Sequence, residues 1–375
     1  MRIAIIVRTY AMYRGGAERV AVTLSQKLAE GGHDVHIFCG SADGMTEGIK
    51  CHIVPFLKFT SILKLLSFHW SVNHLLKNER FDIIYGHCHC FPLDLYYVGG
   101  GVHEQWMRIR YPSLWIRLLK YLSSPRHIAL ICMEKKIFQK NNFKVIVTNS
   151  LLVKHHVVNN FLVPEKQIRV IYDGLDHSVF NIDCRKYRSH MRQKHNANDN
   201  DIVVLFVSNN WSRKGLVTIL KAMTKLPPDF KIVIVGRGNP KRFNKNITEL
   251  RLERDRIIFA GTTREIQRYY GMADIFVLPT MYDPFSNVCR EAMATGLPVI
   301  TTKANGASEI IAHGESGYVL EHWNDHDTLS EQLQKLRDPL LREQMGSRAC
   351  HRVQSFTWEN NIREHVALFK EYVNE

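Results

Sequence analysis

Two carboxylates seven residues apart, Asp283 and Glu291, flank a Pro-Phe-Ser-Asn run that opens a helical stretch expected at 287–295. With the first acid in a loop and the second about a turn into the helix, both can face one ligand at the helix entrance. The amides of Phe285, Ser286 and Asn287 fall where a helix leaves its first N–H groups without intrahelical partners. Such amides, aligned with the helix dipole, suit a diphosphate, and Glu291 could then hydrogen-bond a ribose diol. The plainer reading is a dipole-stabilising acid followed by a surface acid. A second feature, Trp211-Ser-Arg-Lys-Gly215, follows an apolar run at 202–208. There Lys214, helped by Arg213, can neutralise a phosphate, and Gly215 lets backbone come close. Gly15 and Gly16 follow the first apolar run and read either as a close backbone approach to a ligand or as an ordinary turn. Three glycines at 99–101 precede His103. An imidazole at such a strand end can orient a hydroxyl or assist charge development.

The elements that must position these groups alternate. Strands are expected at 2–7, 34–39, 53–56, 82–86, 95–99, 144–149 and 169–172, then at 202–208, 232–235, 257–260, 275–278, 299–302 and 317–319. Helices fall between them at 17–30, 63–77, 152–161 and 287–295, with a long basic helical region after residue 103. Such alternation predicts parallel sheets with right-handed crossovers. A polar, turn-forming stretch near 176–201 divides the chain into an N-terminal domain at 1–180 and a C-terminal domain at 181–356, with a final helix at 357–375 packing back on the first. The fold class is therefore α/β, two doubly wound Rossmann-like domains facing across a cleft, with ligands at the carboxyl ends of the strands.

Several chemistries are disfavoured. No Gly-x-Gly-x-x-Gly follows the first strand and no P-loop sequence occurs. Asp199-Asn-Asp201 and Asp325-His-Asp327 superficially match a metal-binding Asp-x-Asp but read better as a loop and a helix start. The eight cysteines are scattered, so reduced thiols are expected. His87-Cys-His-Cys90 alone invites a metal, but four adjacent strand residues alternate faces and no second Cys/His pair stands at zinc-site spacing. The expectation is no metal and no cofactor. No apolar run approaches the ~20 residues of a membrane span, and the start of the chain lacks a signal-peptide pattern, so a cytoplasmic protein is expected.

The formal charge of +14 is unevenly spread. Residues 105–144 carry nine basic side chains and one acid, Glu134, which points to a polyanionic partner. From Met107, apolar residues at 111, 114, 115, 118, 119 and 122 trace a helical stripe. Trp106 and Trp115 suit a headgroup boundary, and Arg108, Arg110, Arg117 and Lys120 can meet anionic lipid. The alternative is a core-packed helix with a solvated basic face. No nucleic-acid module is present.

Taken together, the acid-x7-acid segment running on through Glu-Ala-Met-Ala-Thr-Gly-Leu-Pro-Val-Ile, Arg-Lys-Gly at 213–215, Gly-Gly-Ala-Glu-Arg at 15–19 and Asp-Gly-Leu-Asp at 173–176 resemble the retaining glycosyltransferases of family 4. The resemblance covers nearly the whole chain, in order. It implies a GT-B fold, with a nucleotide sugar in the second domain and the acceptor in the first. By this resemblance His103, Asp283 and Lys214 are catalytic. Gly15, Gly16, Asn209, Arg213, Lys214, Gly236, Gly261, Thr262, Asp283, Phe285, Ser286, Asn287 and Glu291 bind the donor. Two positions depart from the family pattern: Asp283 stands where Glu is usual, and Asn209 where an arginine is often found. The implied reaction is metal-independent, retaining transfer of a hexose such as glucose from UDP-glucose to a membrane glycolipid such as lipopolysaccharide-core heptose. A monomer at the cytoplasmic face of the inner membrane is expected. The alternatives are a non-catalytic protein that binds sugar nucleotides or anionic polymers, and a relative making another cell-surface polysaccharide.

Overall fold

The computed structural model describes residues 1–12, 15–44 and 47–373. In the first unit the run Arg-Ile-Ala-Ile-Ile-Val forms β1 (Arg2–Val7), whose side chains alternate between two cores. Ile3, Ile5 and Val7 enter one, Ala4 and Ile6 the other. This period of two, with both faces buried, is the signature of a central parallel strand. Its sheet continues with β2 (Asp34–Cys39), β3 (Ile49–Ile53), β4 (Ile83–Gly86), β5 (Leu95–Tyr97), β6 (Val145–Thr148) and β7 (Ile168–Val170), in the order β3-β2-β1-β4-β5-β6-β7. All of these pairings are parallel.

Around it lie α1 (Gly16–Glu30), α2 (Ser61–Leu76), α3 (His103–Arg110), α4 (Leu114–Ser123), α5 (Pro125–Ile137) and α6 (Leu151–Phe161). Thr60 and Ser150 cap α2 and α6 by accepting the Leu63 and Val153 amides.

The second unit repeats the plan. Its strands β8 (Ile202–Val207), β9 (Phe230–Val235), β10 (Ile257–Gly261), β11 (Ile275–Leu278), β12 (Val299–Thr302) and β13 (Gly317–Leu320) lie in the order β10-β9-β8-β11-β12-β13. Its helices are α7 (Arg188–Lys194), α8 (Leu216–Met223), α9 (Asn244–Glu249), α10 (Ile266–Met272), α11 (Asn287–Ala294), α12 (His326–Lys335) and α13 (Pro339–Val353). The last helix, α14 (Trp358–Val373), belongs to the first unit. Its Leu368 and Phe369 enter the β1 core, and Tyr85 donates its hydroxyl hydrogen bond to His365.

The units are Met1–Gly174 with Trp358–Glu375, and Leu175–Thr357. The expected boundary lay at 180/181. Residues from 175 onward join the second unit because Leu175 bridges Thr357 and its amide donates to the Phe356 carbonyl.

Two local expectations are corrected. The strand placed at 53–56 forms earlier, at Ile49–Ile53, because this run pairs with β2 and Pro55 lies just beyond it. The basic stripe after residue 103 is three helices rather than one, interrupted at Pro112 and restarted by Pro125 at the first position of α5. Some of the positive charge after residue 181 is internal. Arg188 and Arg192 both pair with buried Asp274, and Arg192 also donates to the Asn198 and Asp201 carbonyls, knitting the polar turn together. Asp201 pairs with Lys231, and Asp325 caps α12, so neither Asp-x-Asp look-alike is a cation cradle.

Four histidines of the first unit are held neutral by burial: His87 is pushed down to about 3, and His103, His156 and His365 to about 4. Each binds a proton more readily in the unfolded chain, whose histidines titrate near ~6.5. Stability of this unit therefore rises with pH across that window and is lost as pH falls from ~6.5 toward ~4. Hydrogen exchange at the β1 and β4 amides should accelerate over this range; protection that stays constant across it would refute the assignment.

Candidate active site

In an open parallel sheet, the loops on either side of the point where strand order reverses run apart and leave a crevice at the strands' carboxyl ends. In the second sheet that point lies between β8 and β11. The loop after β8 carries Arg213 and Lys214, and the loop after β11 carries Asp283. The two loops are tied together, since the Met281 amide donates to the Arg213 carbonyl at 3.0 Å. Gly215, at φ +87°, begins α8 so close to β11 that a Cβ would lie 2.1 Å from the Pro279 carbonyl oxygen. Both the left-handed backbone and the close approach require glycine there.

Lys214 and Asp283, 69 residues apart, form an ion pair. Their side chains are only 11% and 15% exposed. Burial pushes the Lys214 ammonium below the ordinary lysine range, and the Asp283 carboxylate pulls it part of the way back. The backbone of Asp283 is fixed by the loop after β12: its amide donates to the Ala304 carbonyl, and its own carbonyl accepts the Gly306 amide.

The entrance to α11 differs from expectation in one respect. The Ser286 amide is not free, because it donates to Asn305 Oδ1 at 3.3 Å. Asn305 is fully buried, also accepts the Ala307 amide, and donates to Thr301 Oγ1 and Cys289 Sγ. Arg290 lies over the Phe285 ring at 4.5 Å and donates to Asn287 Oδ1. Glu291 is 2% exposed and accepts the Tyr270 hydroxyl at 2.8 Å. Tyr270 and Asn305 organise this segment and escaped the sequence reading. The Asn-Gly pair at 305–306, one turn after a strand, was the available signal for the second; Tyr270 offered none.

Other expected donor residues gather at neighbouring strand ends. Asn209 Oδ1 accepts the Arg237 amide at 2.9 Å, so the residue that replaces an arginine fastens two loops. Gly236, at φ +115°, would place a Cβ 2.1 Å from the Ser208 carbonyl oxygen, and its amide donates to the Gly261 carbonyl. Gly261 and Thr262 are exposed at the end of β10.

Gly15, Gly16 and His103 belong to the first unit. Gly15 precedes α1 in extended backbone, at φ −170°. His103 is not at an open strand end as expected. It is the first residue of α3, and its Nε2 lies 3.0 Å from His127 Nδ1 of α5. Buried Glu134, also of α5, accepts the His103 and Glu104 amides and so caps α3 with a charge. At a pKa of about 4 the imidazole is neutral near pH 7. His87–Cys90 is the loop after β4 rather than strand.

The basic segment is arranged unevenly. Trp106 is half-buried, and Arg108 pairs with Glu104. Arg110 is exposed, Arg117 reaches the Tyr111 carbonyl, and Lys120 lies 5.9 Å from the Tyr111 ring centre. None of the residues of α4 is buried; Trp115 and Leu122 are each 77% exposed and Leu119 is 64% exposed. The core-packed alternative for this helix is thereby excluded. Among the described residues no helix is long and apolar enough to cross a membrane.

The family profile of glycosyl transferases group 1 matches residues 188–352, and that of glycosyltransferase family 4 matches residues 14–179. An uncharacterised glycosyltransferase of Methanocaldococcus jannaschii is 28% identical over 232 residues; the match spans 60% of this chain and 59% of that relative's length. The lipopolysaccharide glucosyltransferase WaaG of Escherichia coli (strain K12) is 22% identical over 347 residues, 90% of each chain. A crystal structure of WaaG superposes with a TM-score of 0.83 at 20% identity, covering 97% of this chain and 98% of that one. HepE of Anabaena, solved with UDP-glucose, superposes at 0.75 and 19% identity over 99% and 100% of the two chains. The superpositions give the fold, two Rossmann-like domains of GT-B type, and the profiles account for both sheets. The chain belongs to the family 4 glycosyltransferases.

Proposed function

We propose that this glycosyltransferase transfers a hexose, glucose from UDP-glucose, with retention and without a metal ion, to a membrane glycolipid such as lipopolysaccharide-core heptose. The observation that carries the reading is the Lys214–Asp283 pair at the strand-order reversal of the second sheet. A buried ammonium beside a crevice is a preorganised counter-charge for a leaving diphosphate, and it costs no reorganisation as negative charge develops. The bond between the anomeric carbon and the diphosphate oxygen breaks while the acceptor hydroxyl bonds on the same face. The released proton passes to the donor phosphate. Asp283 holds Lys214 in place and lies within reach of the sugar. Glu291, oriented by Tyr270, takes the ribose. His103, neutral and steadied by His127, orients a hydroxyl rather than supplying a proton. The likeness to the lipopolysaccharide glucosyltransferase WaaG supports the acceptor, and that to HepE, solved with UDP-glucose, supports the donor.

Attachment to the cytoplasmic face of an anionic membrane is part of the same proposal. The α4 helix turns Leu114, Trp115, Leu119 and Leu122 to solvent beside Arg108, Arg110 and Lys120. Apolar side chains inserted at the headgroup boundary, with roughly 1 kcal/mol from each nearby Lys or Arg, favour a peripheral position.

In a thermal-shift screen of UDP-, GDP- and ADP-sugars, UDP-glucose should raise the melting temperature most. Lys214→Ala should lower turnover by ~10²–10³ while the far-UV dichroism stays native; near-wild-type turnover would remove Lys214 from the mechanism. Because burial lowers the Lys214 pKa, wild-type activity should fall on the alkaline side before the ordinary lysine range, and Lys214→Arg should push that limb further alkaline.

In flotation assays the protein should rise with phosphatidylglycerol vesicles, and Trp115→Ala with Leu119→Asp should reduce this. Equal binding to purely zwitterionic vesicles would exclude the electrostatic part of the attachment.

A further inference from the structure

A second cluster lies on one face of the edge of the first sheet, beside Arg2 and Asp34. His36 of β2 and His52 of β3 are diagonal neighbours on one face of the sheet, with His36 Nδ1 2.9 Å from His52 Nε2. Glu79, in the segment between α2 and β4, places Oε2 4.0 Å from His36 Nδ1. These three donor atoms all lie within 4.8 Å of one another, and among the described residues no other such group of His, Cys, Asp or Glu occurs. An ion with tetrahedral bonds of about 2.0–2.1 Å holds its donors about 3.3 Å apart, so the partly exposed Glu79 carboxylate would have to close by roughly an ångström to seat one.

The surroundings favour ligation. His36 is 2% exposed, packed against the edge of Phe81 and alongside His52, and His52 stacks on Phe38. The ring is therefore held in one orientation. Its far nitrogen, Nε2, lies 3.3 Å from Asp34 Oδ2 and also accepts a hydrogen bond from Arg2 Nε at 3.3 Å. Once Arg2 turns from this nitrogen to the carboxylates, Asp34 can take the N–H there and leave the near nitrogen's lone pair for a metal. Arg2 pairs with Glu79 and stands 3.5 Å from Asp34. It can remain on Asp34 when Glu79 turns to an ion. His52 and Glu79 are both partly exposed, which gives an ion a path in from solvent.

We propose that His36 Nδ1, His52 Nε2 and the Glu79 carboxylate bind a divalent transition-metal ion of the zinc class, with Asp34 orienting His36 from behind. Two imidazoles and one carboxylate suit Zn²⁺, and water can complete the shell. The ion would fasten β2, β3 and the segment after α2 to one another. It takes no part in the proposed sugar transfer, which concerns the carboxyl ends of the strands.

The test uses the full chain, stripped with chelator and titrated with Zn²⁺ by calorimetry. One equivalent should bind, the melting temperature should rise with Zn²⁺, and Co²⁺ should give visible absorption bands. His52→Ala and Glu79→Gln, at partly exposed positions, should each weaken binding at least about tenfold, and Asp34→Asn should weaken it about 10–100-fold. Cys88→Ser and Cys51→Ser provide the contrast, because the Cys88 and Cys90 sulfurs lie 3.9 Å apart and those of Cys39 and Cys51 3.7 Å apart, forming two competing thiol loci. The absence of saturable Zn²⁺ binding would overturn the site. So would affinity unchanged in both His52→Ala and Glu79→Gln, or affinity lost in either cysteine variant but kept in His52→Ala.

Discussion

A lysine ammonium removed from water needs a counter-charge close by, because the field that water would have screened must be met by a fixed anion. In this protein that requirement joins Lys214 to Asp283, and much of the surrounding architecture serves it. The two loops leave strands that are neighbours in the sheet but reversed in order. Each loop is then locked from outside: Gly215 against Pro279, Asp283 against Ala304 and Gly306, and Ser286 against Asn305.

Positive charge in this chain serves two different ends. Around Asp274, arginines are spent on internal carbonyls and a buried carboxylate, so they create fold rather than surface potential. In the 105–144 segment the bases stand outside, beside apolar side chains that no other part of the described first unit covers well. The contrast explains why a charge count alone misjudges the second unit. A guanidinium that holds a turn together looks the same in sequence as one that faces solvent.

The first unit also shows how one helix can serve two tasks. The α5 helix carries His127 and Glu134 toward the start of α3, and it packs beside α4, whose apolar face is open. His103 therefore owes its placement to a buried acid more than thirty positions along the chain. The three glycines before it supplied a strong hint of an unusual backbone, yet the residue that restrains the imidazole lay outside any local window.

Most of the strands were legible because β-branched runs buried on both faces leave a pattern that only a parallel sheet satisfies, and the order of motifs carried the family. Asp283, Lys214 and Glu291 stood out by type and spacing, and the fold brings the first two together. What the sequence could not give is who meets whom. Lys214 finds Asp283, Glu291 finds Tyr270, Ser286 finds Asn305 and His36 finds His52 only after strands far apart in the chain are laid side by side. Periodicity is a property of neighbours along the backbone, whereas a hydrogen bond or an ion pair depends on distances that only chain crossover sets.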